Sequence, residues 1–358
     1  MTDSSLTAPV RSLLTPVRLG AVAASNRLVM APLTRIRADE RGVPTELMVQ
    51  HYAQRASMGA IVTEGTWPVG EGRTWIGQPG IESADHIAGW RRVTDAVHAA
   101  GGRIIMQIMH GGRISHELVS MTGRVVAPSA IGAPGQIRTP EGKQTHPVPH
   151  ALSGEEVQQL IEQFAHAAEN AIAAGMDGVQ IHGANGYLVH QFTAPSSNHR
   201  TDDFGGSPEN RARLSVEITS AVAQAVGAER TGIRLSPQTN VQGVLEEDGD
   251  DVMATYRALA EGLAPLNLAH VDVLSPEPGG GLVQMIRRIS SAPLIANTGF
   301  GHPTTREEAE ELIRLDVAEA VGIGRAAIAN PDVVRRWAEG LPENEVHPGV
   351  IGHKCVAE

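Results

Sequence analysis

The stretch SGEEVQQLIEQFAHAAENAIAAGMDGVQIHG, residues 153–183, contains one complete helix–strand unit. Ser153 and Glu156 have the spacing of an N-terminal capping box, and apolar residues then recur every three or four positions, as on one face of a helix. The segment GVQIHG that follows is a short apolar run, typical of a strand that is covered on both faces of a parallel sheet. A helix followed by a buried strand indicates an α/β fold.

Apolar runs of this kind occur eight times, and each leads into a helical pattern. The runs are Arg27–Pro32, Gly59–Gly65, Arg103–Met109, Gly178–Gly183, Thr231–Pro237, His270–Pro276, Pro293–Gly299 and Ala318–Arg325. Eight strand–helix units fit a closed (β/α)8 barrel. A doubly wound open sheet is the alternative, but a glycine-rich fingerprint is expected after its first strand. Residues 30–34 (MAPLT) lack these glycines, so the sequence predicts a single (β/α)8 TIM barrel.

One connection is much longer than the others. Residues 110–152, between the third strand and its helix, are rich in glycine, proline and polar residues, and Pro140-Glu141-Gly142 is typical of a hairpin turn. Loops at this end of a barrel carry the active site, so a long insertion here is typical of a lid or a binding subdomain. We therefore expect one domain over residues 1–358, with residues 110–152 as its lid or insertion subdomain.

Composition excludes several classes of protein. The formal net charge of -11 argues against a nucleic-acid or anionic membrane surface. The sequence has no apolar run long enough to span a bilayer, and residues 1–9 lack the pattern of a signal peptide. We expect a cytoplasmic protein without nucleic-acid or membrane partners, either a monomer or a homo-oligomer.

Cysteine and lysine are both scarce. The single cysteine, Cys355, excludes an internal disulfide, a cysteine zinc site and an iron–sulfur cluster. The two lysines, Lys143 and Lys354, both lie in loop-like segments, which argues against a Schiff-base lysine on a strand.

The carboxyl ends of the eight strands carry neutral hydrogen-bonding groups, small residues and two arginines. They carry neither paired carboxylates nor a His-x-His pattern, so no metal site is expected. Such a set suits a planar, polar, phosphorylated cofactor. The residues at these ends are Pro32, Thr34, Gly65, Gln107, His182, Asn185, Tyr187, Arg234, Ser275, Thr298, Gly299, Gly324 and Arg325.

Eight short motifs, in order along the chain, carry a resemblance to a known family. They are MAPLTR (Met30–Arg35), HYAQRA (His51–Ala56), TEGT (Thr63–Thr66), HGGRISH (His110–His116), IHGANGYLVHQF (Ile181–Phe192), RTDDFGGSPENR (Arg200–Arg211), IRLSP (Ile233–Pro237) and GIGRAAIANPD (Gly322–Asp332). On these motifs the chain resembles the old yellow enzymes, from Leu14 to about Pro342.

The resemblance implies a bound FMN. Arg234 would face the N1/O2 edge of the reduced ring, Gln107 its pyrimidine edge and Thr34 its O4, while backbone N–H groups after the last two strands would bind the phosphate. A lone barrel arginine more often closes a structural ion pair, and that alternative stays open for Arg234. The implied FMN-binding residues are Ala31, Pro32, Leu33, Thr34, Gly65, Gln107, His182, Arg234, Thr298, Gly299, Gly324 and Arg325.

The resemblance also implies the chemistry, which is NAD(P)H-dependent reduction of the activated C=C bond of an α,β-unsaturated carbonyl or nitro compound. His182 and Asn185 would donate hydrogen bonds to the substrate oxygen, flavin N5 would deliver hydride to the β-carbon, and Tyr187 would protonate the α-carbon. NADPH or NADH would be the electron donor. Two alternatives are another flavin reaction on this barrel, such as substrate oxidation, and a flavin-free scaffold.

Two departures from the family pattern concern the substrate space. Met109 stands where the family commonly has tryptophan, and it completes the expected substrate-binding set of His182, Asn185 and Tyr187. The tail over residues 347–355 lacks the tyrosines that many members have there. Both departures predict a wider pocket. Arg113 and His116 are expected only to hold the start of the insertion, and His190 shows no metal-like clustering with other histidines.

Overall fold

A closed barrel of parallel strands forms the centre of the computed structural model, which describes residues 12–346. The strands are β1 (Val17–Leu19), β2 (Val22–Ala24), β3 (Leu28–Met30), β4 (Ala60–Val62), β5 (Ile104–Ile108), β6 (Val126–Ala127), β7 (Gln136–Thr139), β8 (Gly142–Thr145), β9 (His150–Ala151), β10 (Gly178–Gly183), β11 (Thr231–Leu235), β12 (His270–Leu274), β13 (Leu294–Asn297) and β14 (Ala320–Ile323). The barrel order is β3-β4-β5-β10-β11-β12-β13-β14, and β14 pairs with β3. The predicted (β/α)8 barrel is confirmed, with one strand in each of the eight apolar runs.

Helices surround the barrel and connect its strands. They are α1 (Glu46–Ala53), α2 (Ala84–Ala99), α3 (Gly154–Ala173), α4 (Leu188–Thr193), α5 (Pro208–Val226), α6 (Gly249–Leu263), α7 (Gly281–Ser290), α8 (Arg306–Arg314), α9 (Arg325–Ala329) and α10 (Val333–Glu339). Within residues 12–346, none of the helices is both long and apolar enough to cross a membrane.

The helix start expected at Ser153 is found. The Ser153 hydroxyl accepts the Glu156 N–H, and the Glu156 carboxylate accepts the Ser153 N–H, which closes the capping box of α3. Asn330-Pro331 in the sequence predicts an N-cap and a first-turn proline for the last barrel helix. This prediction is wrong, because α10 begins two residues after Pro331, with Asp332 as its N-cap. The Asn330 side chain instead bonds Ala326 and Asn344.

The long connection after β5 has little regular structure. It contains the antiparallel hairpin β7–β8, whose turn is the predicted Pro140-Glu141-Gly142, and the short parallel pair β6–β9. The buried Arg113 guanidinium donates to Ile131 O at 3.3 Å and to Gly243 O at 2.7 Å. Because Gly243 follows β11, this arginine joins the insertion to a neighbouring barrel loop.

The β1–β2 hairpin closes the amino-terminal end of the barrel, since the Ala21 N–H donates to Glu229 O just before β11. Above it, one side of the interior is filled by apolar side chains that we call the apolar wedge. The wedge consists of Leu19, Val22, Val29, Ala60, Val62, Ile105, Ile295 and Ala320. The other side of the interior is polar and leads to the site described next.

Candidate active site

His182 and Arg234 are adjacent at the carboxyl end of the barrel. They are register partners on the neighbouring parallel strands β10 and β11, and both side chains are buried. Burial, and then the positive charge of Arg234, keep the pKa of His182 well below its ordinary value. His182 is therefore a neutral imidazole at pH 7, with one N–H to donate.

A tight turn follows β10 and carries the next two predicted residues. Asn185 and Gly186 both have positive φ, +56° and +78°. A Cβ on Gly186 would lie 2.8 Å from Val241 O, so this position requires glycine. The Asn185 carbonyl accepts a hydrogen bond from Gln242 at 2.8 Å. The turn is thus held in one geometry against the loop that follows β11.

His190 also holds this turn, a role that the sequence did not predict. Its Nδ1 accepts the Gly186 N–H at 3.0 Å, so its proton lies on Nε2, which faces the Glu246 carboxylate at 3.2 Å. The Tyr256 hydroxyl donates to the same carboxylate at 3.1 Å. Burial opposes ionisation of Glu246, but His190 and the other donors keep its pKa below the ordinary value. Glu246 lies 56 residues from His190 in sequence, too far for spacing to reveal the pair.

Tyr187 lies beside His182 and belongs to a small apolar cluster. Its ring centroid is 5.2 Å from that of His182, and Trp75 meets it edge-on at 5.8 Å. Trp75, Met109, Ile114 and Tyr187 form this cluster, apart from the main core. The structure therefore brings the predicted His182, Tyr187 and Met109 together and adds Trp75, which the sequence did not single out.

Arg234 forms a buried ion pair. Its Nη1 lies 2.6 Å from Asp272 Oδ2, and the two side chains are only 4% and 2% exposed. Gln180 donates to the same carboxylate at 3.3 Å, and Gln107 donates to Gln180 at 2.8 Å. We call Gln107, Gln180, Arg234, His270 and Asp272 the polar stack. The sequence singled out only Gln107 and Arg234, although the alternation of polar and apolar residues along β10–β12 was a usable signal.

Glu64 holds the loop after β3 through hydrogen bonds to the backbone of that loop. The Glu64 carboxylate accepts the backbone N–H groups of Arg35 and Ile36 at 2.8 and 2.7 Å, and the Tyr52 hydroxyl lies 3.4 Å away. Burial raises the pKa of Glu64 to about 7 despite these donors. Since Thr34 precedes Arg35, this carboxylate positions the segment that carries the predicted Ala31–Thr34 set.

The ends of β13 and β14 carry the predicted phosphate-binding residues. The Gly299 N–H donates to Asn297 Oδ1 at 3.1 Å, so this backbone donor is already used within its own loop. The Arg325 guanidinium donates to Phe300 O at 2.9 Å. A Cβ on Gly324 would meet only Leu33, at 3.9 Å, so the space beside Gly324, just after the last barrel strand, is open.

Several buried polar atoms at this end have no hydrogen-bond partner among the described residues. They include His182 Nδ1, Asn185 Oδ1 and Arg234 Nε. A buried polar group left unpaired costs about 1–3 kcal/mol, so such atoms are normally satisfied by a ligand or by water. Their positions fit the polar edge of a planar cofactor such as FMN. The described residues 12–346 contain no cluster of three or more histidine, aspartate or glutamate side chains arranged to hold a metal ion.

Known proteins resemble this chain over almost its whole length. A probable flavin mononucleotide-dependent alkene reductase of Leishmania infantum is 42% identical over 348 residues, 95% of this chain and 93% of the relative. The structure of the old yellow enzyme homologue from Zymomonas mobilis matches with a TM-score of 0.89 and 40% identity, over 95% of this chain and 96% of that one. Morphinone reductase matches with a TM-score of 0.88 and 38% identity, over 96% and 93%.

The model of the NADH:flavin oxidoreductase / NADH oxidase family matches residues 12–344. The chain therefore belongs to this family, as an oxidoreductase of the old yellow enzyme type.

Proposed function

We propose that this protein uses FMN, and NADPH or NADH as electron donor, to reduce the activated C=C bond of α,β-unsaturated carbonyl or nitro compounds. The observation that supports the proposal lies at the end of β10 and in the turn after it. His182 and Asn185 each carry a buried polar atom without a partner among the described residues, and the ring of Tyr187 lies 5.2 Å from that of His182. The names of relatives agree, since one of them is a probable alkene reductase.

The residues assigned to FMN come from seven barrel strands and the loops that follow them. Ala31, Pro32, Leu33, Thr34, Gly65, Gln107, His182 and Arg234 would contact the ring, and Thr298, Gly299, Gly324 and Arg325 would surround the phosphate. The Gly299 N–H would have to leave Asn297 Oδ1 to bind it. Bound FMN would supply the hydride, which it would receive from the nicotinamide.

His182 and Asn185 would bind the oxygen of the substrate. The neutral His182 ring and the Asn185 amide can each donate one hydrogen bond, and negative charge grows on the carbonyl oxygen as the alkene is reduced. Donors fixed in a buried site stabilise this charge more than water does, since they need no reorganisation. The positive φ of Asn185 and the bonds around Gly186 fix the donors before substrate binds.

Tyr187 would supply the proton that completes the reduction. A phenol is protonated at neutral pH and can donate to the α-carbon as the hydride reaches the β-carbon. The edge-on contact with Trp75 and the contact with His182 limit the positions that the Tyr187 ring can take.

We also propose that residues 110–152 cover the site within a single domain. Ile114 and Ala133 of this insertion pack against the Tyr187 cluster, and Arg113 joins the insertion to the loop after β11. A cytoplasmic location, and a monomeric or homo-oligomeric protein without nucleic-acid or membrane partners, stay predictions of the sequence. The divergent tail over residues 347–355 lies outside the described residues.

His182→Ala tests the proposed function. Loss of one donor should weaken binding of p-hydroxybenzaldehyde at least tenfold and slow the oxidation of the reduced enzyme by cyclohexenone, because a hydrogen bond to a charged oxygen contributes about 1.5–3 kcal/mol. His166→Ala, on the exposed face of α3, is the matched control and should change neither. Unchanged affinity in His182→Ala would refute the oxygen-binding role. A protein that binds no FMN even when FMN is added would refute the whole proposal.

A further inference from the structure

The buried pair Arg234–Asp272 has a consequence for the cofactor. We propose that Asp272 is the counter-ion of Arg234 and thereby lowers the reduction potential of the bound flavin. Asp272 would be a positioning residue, which acts on the flavin through Arg234. The inference rests on the proposed use of FMN.

The geometry favours a direct and exclusive pair. Arg234 and Asp272 are register partners on β11 and β12, their charged atoms are 2.6 Å apart, and both side chains are almost fully buried. The titratable side chains on the neighbouring strands β10 and β12 are His182, His270 and Asp272. His182 on β10 is neutral, and so is His270 on β12, since burial lowers its pKa to about 4. Burial raises the pKa of Asp272, but the hydrogen bonds from Arg234 and Gln180 favour its charged form, so Asp272 is the negative charge next to Arg234.

The protein provides hydrogen-bond partners for only some of the polar atoms of the Arg234–Asp272 pair. Arg234 Nε and Asp272 Oδ1 have no hydrogen-bond partner in the described part of the chain. A buried ion pair that served only stability would be expected to have its remaining hydrogen-bonding groups paired, because desolvation otherwise exceeds the attraction. The unpaired Arg234 Nε fits an arginine that also has to meet a ligand.

Asp272 also controls the second group assigned to the pyrimidine edge. Gln180 donates to the Asp272 carboxylate and accepts from the Gln107 amide at 2.8 Å. The carboxylate therefore orients Gln180, and Gln180 orients Gln107. The contacts assigned to Arg234 and Gln107 at that edge of the flavin ring therefore both depend on Asp272.

The sign of the effect follows from charge. Two-electron reduction leaves negative charge on the N1/O2 edge of the ring, and a nearby cation favours the reduced form. A carboxylate paired with that cation offsets part of its field in the low dielectric of the interior. Removal of the negative charge should therefore favour reduced FMN over oxidised FMN.

Asp272→Asn tests this directly, because asparagine keeps the shape and one acceptor but loses the charge. We expect reduced FMN to be favoured about tenfold, a rise of about 30 mV for a two-electron couple, measured by anaerobic equilibration with a reference dye. Asp251→Asn is the matched control. It removes the negative charge of another arginine–aspartate pair, Arg211–Asp251 on α5 and α6, outside the barrel interior, and should leave the potential unchanged.

A second pair of variants shows whether Asp272 acts through Arg234. In an Arg234→Gln background the Asp272→Asn change should no longer raise the potential, because a buried carboxyl without its cation keeps its proton and has no charge to lose. A double-mutant cycle would reveal this. Asp272→Ser repeats the test with a smaller neutral side chain. Equal potentials in wild type and Asp272→Asn would overturn the inference while the proposed function stands. So would loss of folding or of FMN binding in both neutral variants, since the acid would then serve the barrel itself. A wild-type protein without flavin would instead refute the proposed function.

Discussion

Ile295 and Asp272 are register partners on the adjacent strands β13 and β12, and their buried side chains belong to opposite halves of the barrel interior. Ile295 lies in the apolar wedge, above the β1–β2 hairpin. Asp272 lies in the polar stack, where every side chain bonds another member of the stack. The wedge can contribute only packing, whereas the stack orients charge. We therefore expect substitutions on the two sides to change different properties.

Tyr187→Phe should give the largest effect. It should slow the reduction of the enone and leave the stability of the protein unchanged. Loss of the proton donor should slow enone reduction about 10²–10⁴-fold, while reduction of the flavin by NAD(P)H stays near normal. Stopped-flow measurement of the two half-reactions separates these rates. Because the Tyr187 ring packs in the Trp75 cluster and phenylalanine keeps that packing, the melting temperature should change little. Unchanged enone turnover would mean that the proton comes from elsewhere.

Ile295→Ala should have the opposite profile. Deletion of a fully buried isoleucine leaves a cavity and typically costs about 2–5 kcal/mol of the free energy of unfolding. The flavin potential should not move, in contrast to Asp272→Asn. Denaturant unfolding and the flavin potential are both measured on the FMN-loaded protein. Ile295→Val removes less of the side chain and should cost about 0.5–1.5 kcal/mol of the free energy of unfolding. A shifted potential in Ile295→Ala would break the division between wedge and stack.

The wedge side of the fold was readable from sequence, because strands buried on both faces appear as apolar runs and helix starts carry their own caps. The polar stack was only half readable. Arg234 stood out alone, while its partner Asp272 lies 38 residues away, and only the register of β11 against β12 brings them together. The same limit hid the Glu246 partner of His190. The roles assigned to His182, Asn185 and Tyr187 came from the motif and stay predictions.

Glu64→Gln tests whether a buried carboxylate outside the polar stack affects the stability of the protein rather than the flavin potential. The pKa of Glu64 is raised from 4.5 to about 7 by burial, so the folded state keeps a proton that the unfolded state loses. Stability should therefore fall as pH rises from about 4.5 to 7, by about 3 kcal/mol.

In the same Glu64→Gln variant this loss with rising pH should disappear. Glutamine does not titrate and still offers an oxygen to the Arg35 and Ile36 N–H groups. The free energy of unfolding, measured across that pH range in both proteins, provides the test. Parallel curves for the two proteins would show that another group carries the pH dependence.

Met109→Trp should give the smallest effect, on substrate size alone. Met109 is buried beside Gly65, where an added Cβ would lie 2.6 Å from its sulfur, and it shares the cluster of Trp75 and Tyr187. A tryptophan there would be larger and more rigid than the flexible methionine, so activity on bulky polycyclic enones should fall about tenfold relative to cyclohexenone. The double variant Met109→Trp/Trp75→Met conserves total volume and should recover part of that loss. Turnover of small and bulky enones by each variant gives the ratio, and equal losses on both would mean that Met109 only packs against its neighbouring strand.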